Sequence, residues 1–173
     1  MNLLTRAAAG LGLAAFLASP AMAQTKWDLP TPYPDGNFHT KNIVQFAEEV
    51  KAATGGSLQI TVHSNQSLIK HPDIKNAVRS GTVPAGELLV SRLANESPIY
   101  EVDSVPFLAS SYDAAKKLYA AQKPILEKKL AEQGLMLLFS VAWPPQGIFA
   151  KQELNTLADL KGRSIAFQNP VST

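Results

Sequence analysis

The chain has 173 residues, 46% of them apolar and 17% charged, a globular composition that sets aside a disordered or low-complexity polypeptide. It has no cysteine, which removes disulfide frameworks, thiolate metal sites and thiol catalysis. A formal net charge of +2, dispersed along the chain, argues against a nucleic-acid partner.

In chain order, the first informative stretch is the N-terminus. Arg6 precedes an uncharged apolar run, Ala7 to Ala18, and the pattern ends in Ala21-Met22-Ala23. A short positive start, an apolar core of roughly a dozen residues and a small-x-small end make a cleaved secretory signal; a membrane anchor needs roughly 20 apolar residues. The other reading is a buried N-terminal helix. The expected mature protein begins at Gln24, after cleavage behind Ala23, and works outside the cytoplasmic membrane.

Trp27-Asp28-Leu29 reads as a short strand, broken by Pro30, Pro32, Pro34 and the turn pair Asp35-Gly36. An amphipathic helix follows, from Phe38 to about Thr54. Ile43, Phe46, Ala47, Val50 and Ala53 share one face, and Gly55-Gly56 supplies the stop. Leu58, Ile60 and Val62 alternate with polar residues as a strand, and Pro72 opens a short helix closed by Gly81. Leu88-Leu89-Val90 is expected to be a buried strand, which completes a strand–helix rhythm with a largely parallel sheet.

Asn95 to Pro106 is polar and proline-punctuated, so a surface connection is expected. Two helices are expected next, Tyr112 to Ala121 and Pro124 to Gln133, then a strand from Leu135 to Ala142. Trp143 to Gly147 must be irregular, because its two prolines cannot both serve a ladder. Ile148 to Ala150 reads as extended. Thr156 can cap one helical turn ended by Gly162, and Arg163 to Phe167 begins a further strand.

No G-x-S-x-G elbow, His-Glu-x-x-His pair or phosphate loop occurs, and Gly10-Leu11-Gly12 lies inside the signal. His39, His63 and His71 lack the short spacing of a metal site. Four side chains stand where loops meet strand or helix ends, the usual place for a pocket in an α/β layer. His39, at the handover into the first helix, could donate to an anion or act as a surface or capping histidine. Asn65 could offer its amide to a ligand or serve as a turn residue. Glu87 could accept from a ligand hydroxyl, pair with a cation, or be a plain edge carboxylate. Trp143 could wall a ligand's carbon skeleton or pack a hinge. His63 and His71 read as structural.

The order of these features resembles one family, the DctP-like periplasmic solute-binding proteins of tripartite ATP-independent periplasmic (TRAP) transporters. The residues that carry the resemblance are His39-Thr40-Lys41-Asn42 after the first strand and the step Gly55-Gly56-Ser57-Leu58. Asp103-Ser104-Val105-Pro106-Phe107-Leu108 with Tyr112-Asp113-Ala114-Ala115, the run Leu135 to Ala142, and Leu157-Ala158-Asp159-Leu160-Lys161-Gly162 complete it. The resemblance implies a class II-type, two-lobed α/β periplasmic binding protein-like fold that closes on a small organic acid. The loaded protein delivers the acid to integral-membrane permease subunits, as a monomer, without chemistry and without cofactor or metal. Residues 24–147 would form most of the first lobe, left incomplete, and 148–173 a crossing segment and the opening strand of the second. Family members are about twice as long, and closure needs two bodies and a hinge, so a C-terminally truncated chain is expected. Alternatives are a binding protein of another transporter class, such as an ATP-driven one, and a secreted hydrolase or lyase. In the family, the strand after Lys-Gly carries an arginine that grips the ligand carboxylate with its planar fork. Here Ala166 falls at that place, and Arg163, three residues earlier and on the opposite face of a strand, is the nearest guanidinium.

Overall fold

The structure is a computed structural model that describes residues 24–144, 147–148, 150–162 and 167–168. The expected signal, Arg163 and Ala166 lie outside the described residues. Among the described residues, no helix is long and apolar enough to cross a membrane.

Two parallel strands and the helix between them form the frame. β1 (Thr25–Pro30) and β2 (Leu58–His63) pair in register from Thr25 opposite Leu58 to Pro30 opposite His63. Parallel neighbours need a crossover, which α1 (Phe38–Ala53) supplies. Asn37 starts that helix: its backbone is extended, and its side chain accepts from the His39 N–H at 2.9 Å. At the other end, Gly55 and Gly56 adopt φ of 59° and 82°, and the Gly56 N–H donates to the Lys51 carbonyl at 2.8 Å. Ile43 from the helix, Leu29 from β1 and Ala85 form the buried centre, with Trp27, Phe46, Ile60 and Val62 packed round it. Full burial of Ile43 alone contributes about 2 kcal/mol.

A 3-10 turn (His71–Asp73) leads into α2 (Ile74–Arg79), whose Ile74 is fully enclosed. The chain then passes back beside β1 at Gly86, where a Cβ would sit 2.6 Å from Ile74 Cγ2. Only glycine fits that approach, and it brings Glu87 to the end of β1.

The expected strand Leu88–Val90 does not form. The Glu87 N–H donates to the Pro30 carbonyl at 2.9 Å, but Pro30 and Pro32 have no N–H to return. A parallel ladder needs donors from both sides, so pairing stops after one bond, and Val90–Leu93 turns into 3-10 helix. The expected surface connection also carries structure, a 3-10 helix (Pro98–Ser104) that buries Tyr100.

The two expected helices are one, α3 (Tyr112–Ala131), running through Pro124. The proline withholds one bond from the Ala120 carbonyl, a cost of about 3 kcal/mol in a helix interior. Anchors on each side of it offset that cost. The Gln122 side-chain amide donates to the Ile99 carbonyl at 2.6 Å, and Leu126 is buried. Residues 135–144, expected to begin with a strand to Ala142, have no ladder partner among the described residues. Apolar patterning reports a face to be covered, and pairing needs a neighbour that it does not name.

Beyond them, β3 (Gly147–Ile148) and β4 (Phe167–Gln168) pair antiparallel. Thr156 and Asp159 form a reciprocal cap on the 3-10 turn Leu157–Leu160, and Gly162 follows at φ 76°.

Candidate functional site

The end of β1 and the loop into α1 are pinned before any side chain is placed. The Tyr33 carbonyl accepts from the Asn65 N–H at 2.8 Å and from the Thr40 hydroxyl at 3.0 Å. The Thr31 carbonyl accepts from the Gln66 N–H at 3.2 Å. These bonds aim Thr31 and Tyr33 toward the segment that carries Glu87. The Thr31 hydroxyl donates to Glu87 Oε2, and His39 Nδ1 lies 3.5 Å from Glu87 Oε1.

Aromatic rings enclose this polar pair. Tyr33 stacks on the His39 ring at 5.3 Å, and Phe38 lies 4.1 Å from it on the next position of α1. Trp143 covers the group, tilted over His39 at 4.3 Å and edge-on to Tyr33 at 5.1 Å and Phe38 at 5.4 Å. Such edge-to-face contacts stabilise beyond their buried area, by about 1 kcal/mol each. His39 Nε2 is buried under these rings with no hydrogen-bond partner.

The electrostatics follow from the enclosure. Burial pushes the His39 pKa down to about 4, so the ring is neutral at pH 7. Burial raises the Glu87 carboxyl above the usual carboxylate range, against the hydrogen bond from Thr31. Burial and then the Glu87 charge raise the Tyr33 phenol, while a hydrogen bond with Trp143 and the charge of Arg92 act the other way. His71 is lowered by burial and by Arg92, and its Nε2 accepts the Leu89 N–H at 3.1 Å. His39 and Tyr33 are therefore neutral at pH 7, and Glu87 is a carboxyl that accepts from Thr31.

Part of this cluster borders a cavity of about 860 Å³. His39, Tyr33, Glu87 and Trp143 line it. Ile43 and Phe46 from α1 and Leu126 from α3 are among the apolar walls. Lys75 also lines it, but its ammonium is held by Glu96 and by Gln133 at 2.9 Å. Among the described residues no group of three or more potential metal ligands occurs.

Of the residues singled out in the sequence, His39, Glu87 and Trp143 come together here. Asn65 does not join them. It is exposed at φ 53°, and its backbone holds the turn after β2. Arg163 lies outside the described residues. His71 supports the loop of Leu89 and lies edge-on to Tyr33 at 6.2 Å, and His63 pairs with Asp28 at 2.7 Å. Sequence reasoning passed over Thr31, Tyr33 and Phe38. Tyr33 sits between two prolines, in a stretch legible only as a break; an aromatic directly past a strand end was the available signal.

Comparison with known proteins gives consistent matches. The family described as bacterial extracellular solute-binding protein, family 7 (DctP), matches residues 31–172. A "Solute-binding protein" of Albidiferax ferrireducens is 25% identical over 120 residues, covering 68% of this chain and 35% of the relative. The chain is similar to the crystal structure of DctP6, a Bordetella pertussis extracytoplasmic solute receptor binding pyroglutamic acid. Identity is 57% and the TM-score 0.76, over 80% of this chain and 46% of that one. A marine metagenome TRAP solute-binding protein specific for pyroglutamate is 45% identical, with a TM-score of 0.75 over the same shares. The chain thus spans under half the length of these solved structures, and its fold is the α/β fold of periplasmic solute-binding proteins.

Proposed function

The chain belongs to the DctP family of bacterial extracellular solute-binding proteins, and from that premise we propose that it is part of a periplasmic receptor for a small organic acid, with pyroglutamate the leading ligand. The receptor hands its ligand to TRAP permease subunits in the membrane and leaves it chemically unchanged. The observation that carries this reading is the 57% identity, over 80% of the chain, to a receptor that binds pyroglutamic acid. The cavity supports it, being lined mostly by apolar side chains with a few polar groups among them, the usual make-up of a small-ligand site. In this reading residues 1–23 are cleaved on export, 24–147 contribute to the first lobe, and 148–173 cross toward the second. Affinity arises from charge-assisted hydrogen bonds in a closed, dehydrated cleft, and closure creates the surface that the permease meets.

The test is calorimetric titration of the full polypeptide its gene encodes with L-pyroglutamate, L-malate and D-glucuronate. Saturable one-to-one binding of L-pyroglutamate, with the recovered acid unaltered, is expected. Absence of binding for all three acids, or conversion of any of them, overturns the reading.

A further inference from the structure

Glu87 is a polar group on the wall of the cavity, beside Tyr33 and His39. Its side chain is 13% exposed and lines the cavity, while His39 beside it is 5% exposed with Nε2 sealed under rings. The Thr31 hydroxyl and His39 Nδ1 approach one carboxyl oxygen each. A carboxyl oxygen has two lone pairs, so acceptor capacity remains for a third partner. Among the described residues, the two groups that approach the Glu87 carboxyl, the Thr31 hydroxyl and the His39 ring, are not cations that would compensate a second carboxylate. His39 is held neutral, Lys75 is bound to Glu96 and Gln133, and Arg92 is exposed and acts on Tyr33 and His71. A ligand carboxylate turned toward Glu87 would set acceptor against acceptor, whereas an N–H would gain a hydrogen bond to the spare lone pairs.

We infer that Glu87 is the residue that sets specificity at this site, accepting the ring N–H of a lactam acid whose carboxylate is turned away from Glu87. The inference rests on the receptor reading above and adds a requirement to it: the ligand must carry a donor. A ring that offers an oxygen in place of the N–H leaves Glu87 facing lone pairs, and sites built to bond a substrate N–H or O–H reject analogues that lack it.

The full polypeptide is titrated with L-pyroglutamate and with (S)-5-oxotetrahydrofuran-2-carboxylate, the lactone of the same shape. Wild type is expected to bind the lactam at least about 100-fold more tightly. Glu87→Gln, whose amide can donate to the ring oxygen, is expected to narrow the ratio to about tenfold or less. The wild-type ratio decides by itself, so a Glu87→Gln protein that fails to fold removes nothing from the test. Lactone binding within about threefold of the lactam in wild type overturns the inference and leaves the receptor reading standing. Tight binding of glutarate, which has no donor once ionised, with none of L-pyroglutamate, does the same. Binding of no acid overturns both.

Discussion

At the scale of single residues, the enclosed His39 ties stability to pH. Its pKa falls from 6.5 to about 4 on folding, so between those values the unfolded chain binds a proton that the folded chain excludes. The stability it contributes is complete above about pH 6.5 and is lost as pH falls toward 4. From pH 7 to 5 this residue is expected to remove about 1–2 kcal/mol, and His71, also lowered, acts in the same direction. Glu87 has the opposite sign: its raised pKa favours the folded form at low pH, a gain lost as pH rises through the folded value. His39→Gln should therefore flatten the decline in the urea midpoint between pH 7 and 5; an unchanged slope would assign the titration elsewhere. His39, Glu87 and Trp143 were legible as candidates because each stands beside the end of a strand-like or helical pattern. That placement is a property of the sequence. Their meeting is not, since it depends on Gly86 passing Ile74 and on Trp143 arriving from more than a hundred residues away along the chain. Asn65 stood at an equally promising end, but its left-handed backbone spends it on the turn.

At the scale of elements, local chemistry predicted β1, α1, β2 and α2 well, because their caps and stops are side chains next to them in sequence. Asn37, Gly55 and Gly56 settle α1 without help from the rest of the molecule. Elements whose form depends on distant partners were misjudged. Leu88–Val90 has a strand's composition, yet the facing prolines deny it a ladder, and the run from Leu135 has no ladder partner among the described residues. Pro124 misled in the other direction. It reads as a helix boundary, yet Gln122 bonds to the Ile99 carbonyl and Leu126 is buried, so α3 continues through it. If those anchors carry the helix across a local defect, repairing the defect stabilises. Pro124→Ala restores an N–H for the Ala120 carbonyl and is expected to raise stability by about 1–2 kcal/mol, less than the full propensity difference because alanine also frees the unfolded chain. The thermal midpoint measures it, and a fall would mean that the proline ring itself packs usefully.

At the scale of the whole molecule, the amount of apolar surface left open is the dominant feature. Phe107 is 96% exposed and Met136 81%, and α1 and α3 both contribute apolar walls to the cavity. Phe107 also holds φ at 66°, a left-handed conformation that costs a residue with a Cβ about 1–2 kcal/mol, with no burial of its ring in return. The related solved structures are longer, and this chain spans 46% of DctP6. A polypeptide of residues 24–173 produced alone therefore presents contiguous apolar faces to water, the property that binds apolar dyes. Its fluorescence with 8-anilinonaphthalene-1-sulfonate is expected to exceed that of DctP6 several-fold at equal molar concentration. Phe107→Gly in the same polypeptide should relieve the backbone strain and raise the thermal midpoint, since the lost side chain buries nothing. Dye fluorescence no higher than that of DctP6 would mean that the walls of the cavity close on one another in solution. The site at the end of β1 would then be sealed by this chain's own residues, and Glu87 would meet no ligand without their first moving apart.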